Sequence, residues 1–331
     1  YLNCFFNPFI WDDINLIVQN PYIKNFKNIP FYFTTDIFRG GNSNFYRPLQ
    51  TILYAIIYHI FGLKVLPYHL LNILLHIGNT LLFFLILKKI YGEKISFFVS
   101  LLFAVHPINS EAITYISGTA DPLFLFFGLL SVLFFSRKKF CISYICFILS
   151  LLSKETGLII PLFLILYEWA LNNSFKKNFK KYLPIFFIEI IYLALRLTIL
   201  KFLTSESVSF LFRFFTSFKS FLLYLYILIF PKTLSMDREI FYITTPVNFW
   251  FISGFLLFCG SIFLLWYFRK NKKLIFPGVW FLIVFISISN IFIPLNSNFS
   301  EHWMYSGCIG FFIYFVLIFN KLIKNNKKFC I

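Results

Sequence analysis

Residues 67 to 89 read PYHLLNILLHIGNTLLFFLILKK, and the fold follows from them. Pro67 to Leu87 hold no Asp, Glu, Lys or Arg, and Lys88-Lys89 ends the run abruptly. About 20 apolar residues with a basic stop are what a helix needs to cross a hydrocarbon layer about 30 Å thick with its backbone hydrogen bonds satisfied internally. Ten further apolar segments lie near residues 48–61, 95–106, 120–135, 140–153, 156–172, 182–203, 210–230, 248–268, 275–294 and 303–322. The whole chain is 59% hydrophobic and 13% charged, whereas soluble domains carry about 25% charge. The short alternating segments of a β-barrel are absent. The expected fold class is an all-α polytopic membrane protein.

Two segments read better as interfacial helices than as spans. Residues 48–61 are short and open on Arg47-Pro48, and residues 210–230 carry Arg213 and Lys219 within the run. Each such charge costs about 2.5 to 3.5 kcal/mol at the centre of a spanning helix. Setting these two on the surface leaves about nine spans. Every strong basic cluster then falls on one face: Lys88-Lys89 with Lys94, Arg137 to Lys139, Lys176 to Lys181, Arg269 to Lys273, and Lys321 to Lys328. By the positive-inside rule that face is cytoplasmic. The net charge of +17 is therefore topology, which argues against a nucleic-acid partner.

One membrane domain over 1–331 is expected. Residues 1–66 form the first outer loop with an interfacial helix, and 67–203 hold six spans. Residues 204–247 form an outer loop with the second interfacial helix, and 248–331 hold three spans and a basic cytoplasmic tail. The chain would start outside at Tyr1, so a span preceding it is expected. The six cysteines show neither metal nor disulfide spacing and read as core residues.

Ten of the 13 acids fall on the outer face: Asp12, Asp13, Asp36, Glu111, Asp121, Glu155, Glu206, Asp237, Glu239 and Glu301. Topology demands few lysines there but makes no demand for acids, so the concentration points to a site. Trp11-Asp12-Asp13 offers either a helix cap or a general base. Neighbouring like charges would raise one pKa, which suits proton abstraction. His106 to Glu111 and Gly118 to Pro122 form a polar turn between spans, with Asp121 placed to cap the following helix. Lys154-Glu155 fits a surface salt bridge and a phosphate contact equally well. Arg213 and Arg238 are candidate anion contacts that could equally snorkel, while Asp237, Glu301 and His302 complete the group, His302 as a proton relay.

Taken in order, these motifs resemble a known family. Tyr46-Arg47-Pro48-Leu49, Tyr68-His69-Leu70-Leu71-Asn72 with Leu75-His76, His106-Pro107 through Glu111 to Asp121, Lys154-Glu155-x-Gly157, Arg213-x-x-Thr216, Pro231-x-x-Leu234-Ser235-x-Asp237 and Glu301-x-x-x-Tyr305 are similar to the membrane portion of the transmembrane and tetratricopeptide-repeat-containing O-mannosyltransferases. That family belongs to the GT-C glycosyltransferases. The resemblance implies a GT-C-like bundle that moves a hexose, mannose in the family, from a polyprenyl-phosphate donor to a protein or glycan hydroxyl at the non-cytoplasmic or lumenal face of the bilayer. It also implies a catalytic acid in the first outer loop, at Asp12 or Asp13, with Asp12 favoured because it directly follows the aromatic.

Lys154, Arg213 and Arg238 would take the leaving phosphate; Arg47, His106, Glu111, Asp121, Glu155, Asp237, Glu301 and His302 would shape the substrate pocket. The cofactor is left unknown: a divalent metal would suit oxygen ligands, but no spacing demands one. The chain departs from the family motif at Asn109, where His is common, and at Thr119, where Arg is. The family's repeat array, with a period of about 34 residues, is not among these residues. An ion-coupled transporter and a non-catalytic assembly protein are the rival readings; transport would place ionisable groups near the bilayer midplane, where only Glu189 and Arg196 qualify.

Overall fold

A computed structural model describes residues 1–38, 43–171, 175–200, 208–236, 238, 240–292, 294–295 and 297–326. Its helices are α1 (Ile29–Tyr32), α2 (Pro48–Phe61), α3 (Val65–Tyr91), α4 (Glu93–Val105), α5 (Ser110–Thr114), α6 (Ala120–Ser136), α7 (Phe140–Ser153), α8 (Ile160–Ala170), α9 (Phe175–Ile199), α10 (Phe210–Ile229), α11 (Phe249–Tyr267), α12 (Lys272–Ile288) and α13 (Cys308–Asn326). No strand occurs among the described residues.

Five helical stretches are long and apolar enough to cross a membrane: Val65–Tyr91, Ile116–Ser136, Phe179–Ile199, Phe210–Ile229 and Phe249–Tyr267. Glu93–Val105 with Pro107–Thr114 makes a sixth if that broken pair is one span, the break falling where Pro107 removes a backbone donor. The expected count of nine is not reproduced. Polar turns shorten several apolar runs: α7 has 14 residues and reaches about 21 Å at 1.5 Å per residue. The segment 156–172 is used partly in the turns of Glu155–Ile159, leaving α8 with 11 residues. Helix α10 is among the stretches long enough to span, although its internal charges had suggested an interfacial position. Helix α2, at 14 residues, falls short.

The residues divide into two compact units. The first comprises 1–82, 110–165 and 174–206, and the second 83–109, 166–173 and 207–331. In the first, α6 and α7 pack through serines. Ser143 Oγ donates to the Ser131 carbonyl at 2.8 Å, and Ser150 Oγ to the Phe124 carbonyl at 2.8 Å. Small residues with a hydroxyl let two apolar helices approach and bond where the hydrophobic effect offers little. The first loop packs inward too: Leu16, Ile17, Ile23, Tyr32 and Ile37 form a buried cluster with Tyr54, Ala55, Tyr68 and Ile116. It is an ordered layer built on α2 and α3.

The second unit is held by rings. Phe218 of α10 meets Phe251, Phe255 and Phe258 of α11 edge-on at 5.3 to 5.7 Å, a geometry set by the ring quadrupoles. Gly254 permits this pairing, because a Cβ there would collide with the Phe218 carbonyl. Between α12 and α13, Trp280 Nε1 donates to the Ser306 carbonyl at 2.8 Å. Two cysteines expected in the core, Cys141 and Cys259, are exposed; both lie on helix faces of an otherwise apolar character.

Candidate functional site

The two acids of the first loop are placed in opposite environments. Asp13 is 1% exposed. Its Oδ1 accepts from the Ser117 backbone N–H at 2.8 Å and from the Ser117 hydroxyl, and its Oδ2 accepts from the Ile10 N–H at 3.1 Å. Burial raises the Asp13 carboxyl above the ordinary carboxylate range, with the Ser117 and Ile10 bonds pulling the other way. Asp13 precedes the wide turn Ile14–Val18 but caps none of its N–H groups. Its bonds fasten the loop to the turn before α6 instead.

Asp12 is exposed. Its backbone N–H donates to the Tyr115 hydroxyl at 3.1 Å, and among the described residues nothing bonds its carboxylate. Trp11, just before it, has φ of 47° and is 59% exposed. A bulky residue in the left-handed region is strained and persists only where its surroundings over-determine it. Here the anchors are Tyr115 on one side and Asp13 on the other.

The turn that anchors the loop is itself held from below. Gln50 Nε2 donates to the Ser117 carbonyl at 3.0 Å, Tyr54 OH to the Ile116 carbonyl at 2.8 Å, and Asn72 Nδ2 to the Tyr115 carbonyl at 3.0 Å. Thr119 Oγ1 donates to Asn72 Oδ1 at 2.6 Å. Thr119, where the resemblance expected Arg, is fully buried in this network. Helices α2 and α3 thus fix the main chain of 115–119 through amides and a phenol.

Two ion pairs lie in the same unit. Lys154 Nζ bonds both Asp121 oxygens, at 2.7 and 2.8 Å, with both side chains buried. Arg47 meets Glu155 at 3.1 Å through NH2 and 3.4 Å through Nε. Lys154 and Glu155 leave the end of α7 in an extended step, and the chain then folds back so closely that a Cβ on Gly157 would sit 3.0 Å from the Ser150 carbonyl. The Lys-Glu-x-Gly spacing is that turn. Glu111 lies half-buried in α5, its carbonyl accepting from the Tyr115 N–H at 3.2 Å.

Burial alone would raise the Glu155 carboxyl, but the Arg47 guanidinium, with Arg196 and Lys154 behind it, holds it down at about 2. The folded value lies below that of the unfolded chain. The pair's stabilisation is therefore complete above the ordinary value of 4.5 and is lost as pH falls through about 2. The gap in melting temperature between wild type and Glu155→Gln, measured in detergent, is expected to stay constant from neutral pH to about 5 and to close below that. A gap that closes near neutrality would show that Glu155 is not held by Arg47.

In the second unit Glu301, 2% exposed, accepts from the Ser235 N–H at 2.9 Å and from Arg238 at 3.1 Å. Arg238 also donates to the Thr233 carbonyl. His302 Nδ1 and Ser300 Oγ are 2.6 Å apart. Arg213 donates to the carbonyls of Asn290 at 2.9 Å, Ile291 at 3.2 Å and Val208 at 3.3 Å. His106 accepts at Nδ1 from the Ile108 N–H at 3.2 Å and packs on Phe312. Asp237 lies outside the described residues, as do Glu206 and Glu239. No group of three or more His, Cys, Asp or Glu suited to a metal occurs among the described residues.

Sequence comparison identifies relatives. Protein O-mannosyl-transferase F38B6.6 of Caenorhabditis elegans is 27% identical over 349 residues, spanning 99% of this chain and 51% of the relative. Human protein O-mannosyl-transferase TMTC3 is 33% identical over 144 residues, 42% of this chain and 16% of its own length. Protein O-mannosyl-transferase tmtc2 of Xenopus laevis is 32% identical over 198 residues, 54% of this chain and 23% of its own. The chain is similar to the worm O-mannosyl-transferase from end to end and to the vertebrate ones over about half its length. That bears out the resemblance carried by the motifs. The chain spans about half the length of the worm O-mannosyl-transferase and a smaller share of the vertebrate ones. No family model matches the chain, and no solved structure matches it.

Within this O-mannosyl-transferase-like chain, the structure brings Asp12 and Asp13 to the 115–119 turn and joins Arg47 to Glu155 and Lys154 to Asp121. It joins Arg238 to Glu301 separately, in the second unit. Sequence reasoning missed Tyr115, Ser117, Gln50 and Tyr54. Each is an uncharged polar residue whose partner lies about 60 to 100 positions away, between 62 and 104 residues along the chain.

Proposed function

We propose that this chain transfers a hexose, mannose by its similarity to the named relatives, from a polyprenyl-phosphate donor to a hydroxyl acceptor on the non-cytoplasmic side of the membrane. The observation that carries the reading is the Asp12 carboxylate, exposed and unpartnered among the described residues on a backbone pinned by Tyr115 and Asp13. The acceptor oxygen attacks the anomeric carbon and the bond to the lipid phosphate breaks. The hydroxyl proton passes to Asp12, and the sugar inverts. A fixed base within reach of the attacking hydroxyl contributes about 10²- to 10⁴-fold.

Asp13 positions; it does not face the acceptor, because its oxygens are taken by Ser117 and Ile10. The direct test is to incubate purified protein with dolichyl phosphate mannose and a Ser/Thr-rich acceptor peptide and to follow release of dolichyl phosphate. Mannosylated peptide with stoichiometric lipid phosphate is expected. No transfer from any polyprenyl-phosphate hexose to any hydroxyl acceptor would overturn the reading.

The sidedness rests on the one-faced distribution of lysine and arginine clusters. In a cysteine-free background, Lys64→Cys and Lys232→Cys are each expected to react with a membrane-impermeant maleimide added from the non-cytoplasmic side. Protection of either position reverses the assigned face.

A further inference from the structure

Around Glu155 and Asp121 three buried or half-buried cations, Arg47, Lys154 and Arg196, stand against two carboxylates. Lys154 is matched by Asp121 and Arg47 by Glu155; Arg196, on α9, has no carboxylate of its own. Its NH2 donates to the Asn44 carbonyl at 2.9 Å, and its Nε is buried with no partner. One helical turn earlier, Tyr192 is 4% exposed and its hydroxyl also has no partner. Residues four apart share a helix face, and the Tyr192 ring lies 6.1 Å from that of Tyr46. Asn44 contributes a third orphan, its side-chain Oδ1.

Buried polar atoms without partners are rare and each costs free energy. Here two are donors, one of them on a guanidinium, and one is an acceptor, and a short stretch of the first loop and one helix turn supply all three. Two unused donors beside a surplus positive charge call for an anionic oxygen, and a guanidinium suits phosphate in particular. The unused acceptor calls for a hydroxyl or N–H on the same ligand. Glu155 and Arg47 lie on one side of this group, and beside it on α9 Leu193, Leu195 and Leu197 are 42%, 48% and 65% exposed.

We infer that Arg196, Tyr192 and Asn44 form a binding site for a phosphate ester carrying a hydroxylated group, with the exposed leucines of α9 beside it to receive an apolar chain. The identification of that ester as a lipid-linked sugar rests on the transfer reaction proposed above; the phosphate site itself does not. In this arrangement Arg196 takes the phosphate place expected of Lys154, whose Nζ is committed to Asp121.

The experiment is equilibrium binding of dolichyl phosphate to the purified full chain in detergent, read by native mass spectrometry, with inorganic phosphate as a separate ligand. Arg196→Gln should weaken dolichyl phosphate on the order of 10- to 100-fold, the worth of a charged hydrogen bond, and Tyr192→Phe several-fold. Asn44→Asp, which sets a carboxylate against the anion, should weaken it further than Asn44→Ser. A wild-type protein that binds dolichyl phosphate but transfers no hexose sinks the reaction while keeping the site. Tyr192→Phe removes one oxygen and is expected to fold, which guards against misfolding of the arginine variant. Equal binding by wild type and all four site variants overturns the inference, as does a wild type that binds neither ligand. Arg196-dependent binding of inorganic phosphate without dolichyl phosphate supports the anion site and overturns the lipid source.

Discussion

Asp12→Asn should slow lipid-phosphate release by about 10²- to 10⁴-fold, the usual contribution of a positioned base, and leave the melting temperature where it is. Asparagine has the same shape but cannot take a proton from the acceptor. The Asp12 carboxylate is exposed and bonds nothing among the described residues, so its loss strands no buried partner. Asp13→Asn should behave differently. It replaces a buried carboxylate that accepts from two N–H groups and a hydroxyl, and an amide can match only part of that. The expected cost is stability of about 1 to 3 kcal/mol per bond left unmade, with a slower rate as a secondary result of a loosened loop. Initial rates and thermal unfolding of both variants, measured side by side, separate a chemical role from a positional one. Full activity in Asp12→Asn would move the base elsewhere.

The largest stability effect belongs to the Lys154–Asp121 pair. Both side chains are nearly sealed from solvent, at 6% and 4% exposure. Removing one partner leaves an uncompensated charge in a low-dielectric setting, which costs about 3 to 5 kcal/mol. Lys154→Met and Asp121→Leu are therefore each expected to unfold far below wild type. The double variant should recover most of the loss, because apolar side chains of similar size often replace a buried pair without penalty. Denaturant titration of the four proteins gives the coupling energy. Mild, additive losses would place the pair in contact with water and return Lys154 to the list of free cations.

The fold was legible in the primary structure because apolar runs of the length seen at Pro67 to Leu87 have one common use. The number of crossings was not, since an apolar run such as 156–172 begins with a turn that only the folded chain reveals. At the site, the charged motifs stood out in so apolar a chain, but their pairing did not. Nothing local says that Lys154 faces Asp121, 33 positions away. Arg196 could be singled out as a charge inside an apolar stretch, yet its companion Tyr192 is one of 19 tyrosines, and Asn44 lies 152 positions from Arg196. Uncharged hydrogen-bonding residues such as Gln50 and Tyr54 give no signal at all without a partner in view.

The clamp between Asp13 and Ser117 also bears on how this protein can be rebuilt. The segment before α2 and the turn before α6 are separate in the chain, yet each supplies half of every bond between them: Asp13 with Ser117, and the Asp12 N–H with Tyr115. Modular exchange must therefore move them together. A chimera that takes its first 47 residues from a homologue and keeps its own residues 115–119 inherits mismatched halves, whereas one that transplants both segments, with the Gln50, Tyr54 and Asn72 that hold the turn, keeps every bond paired.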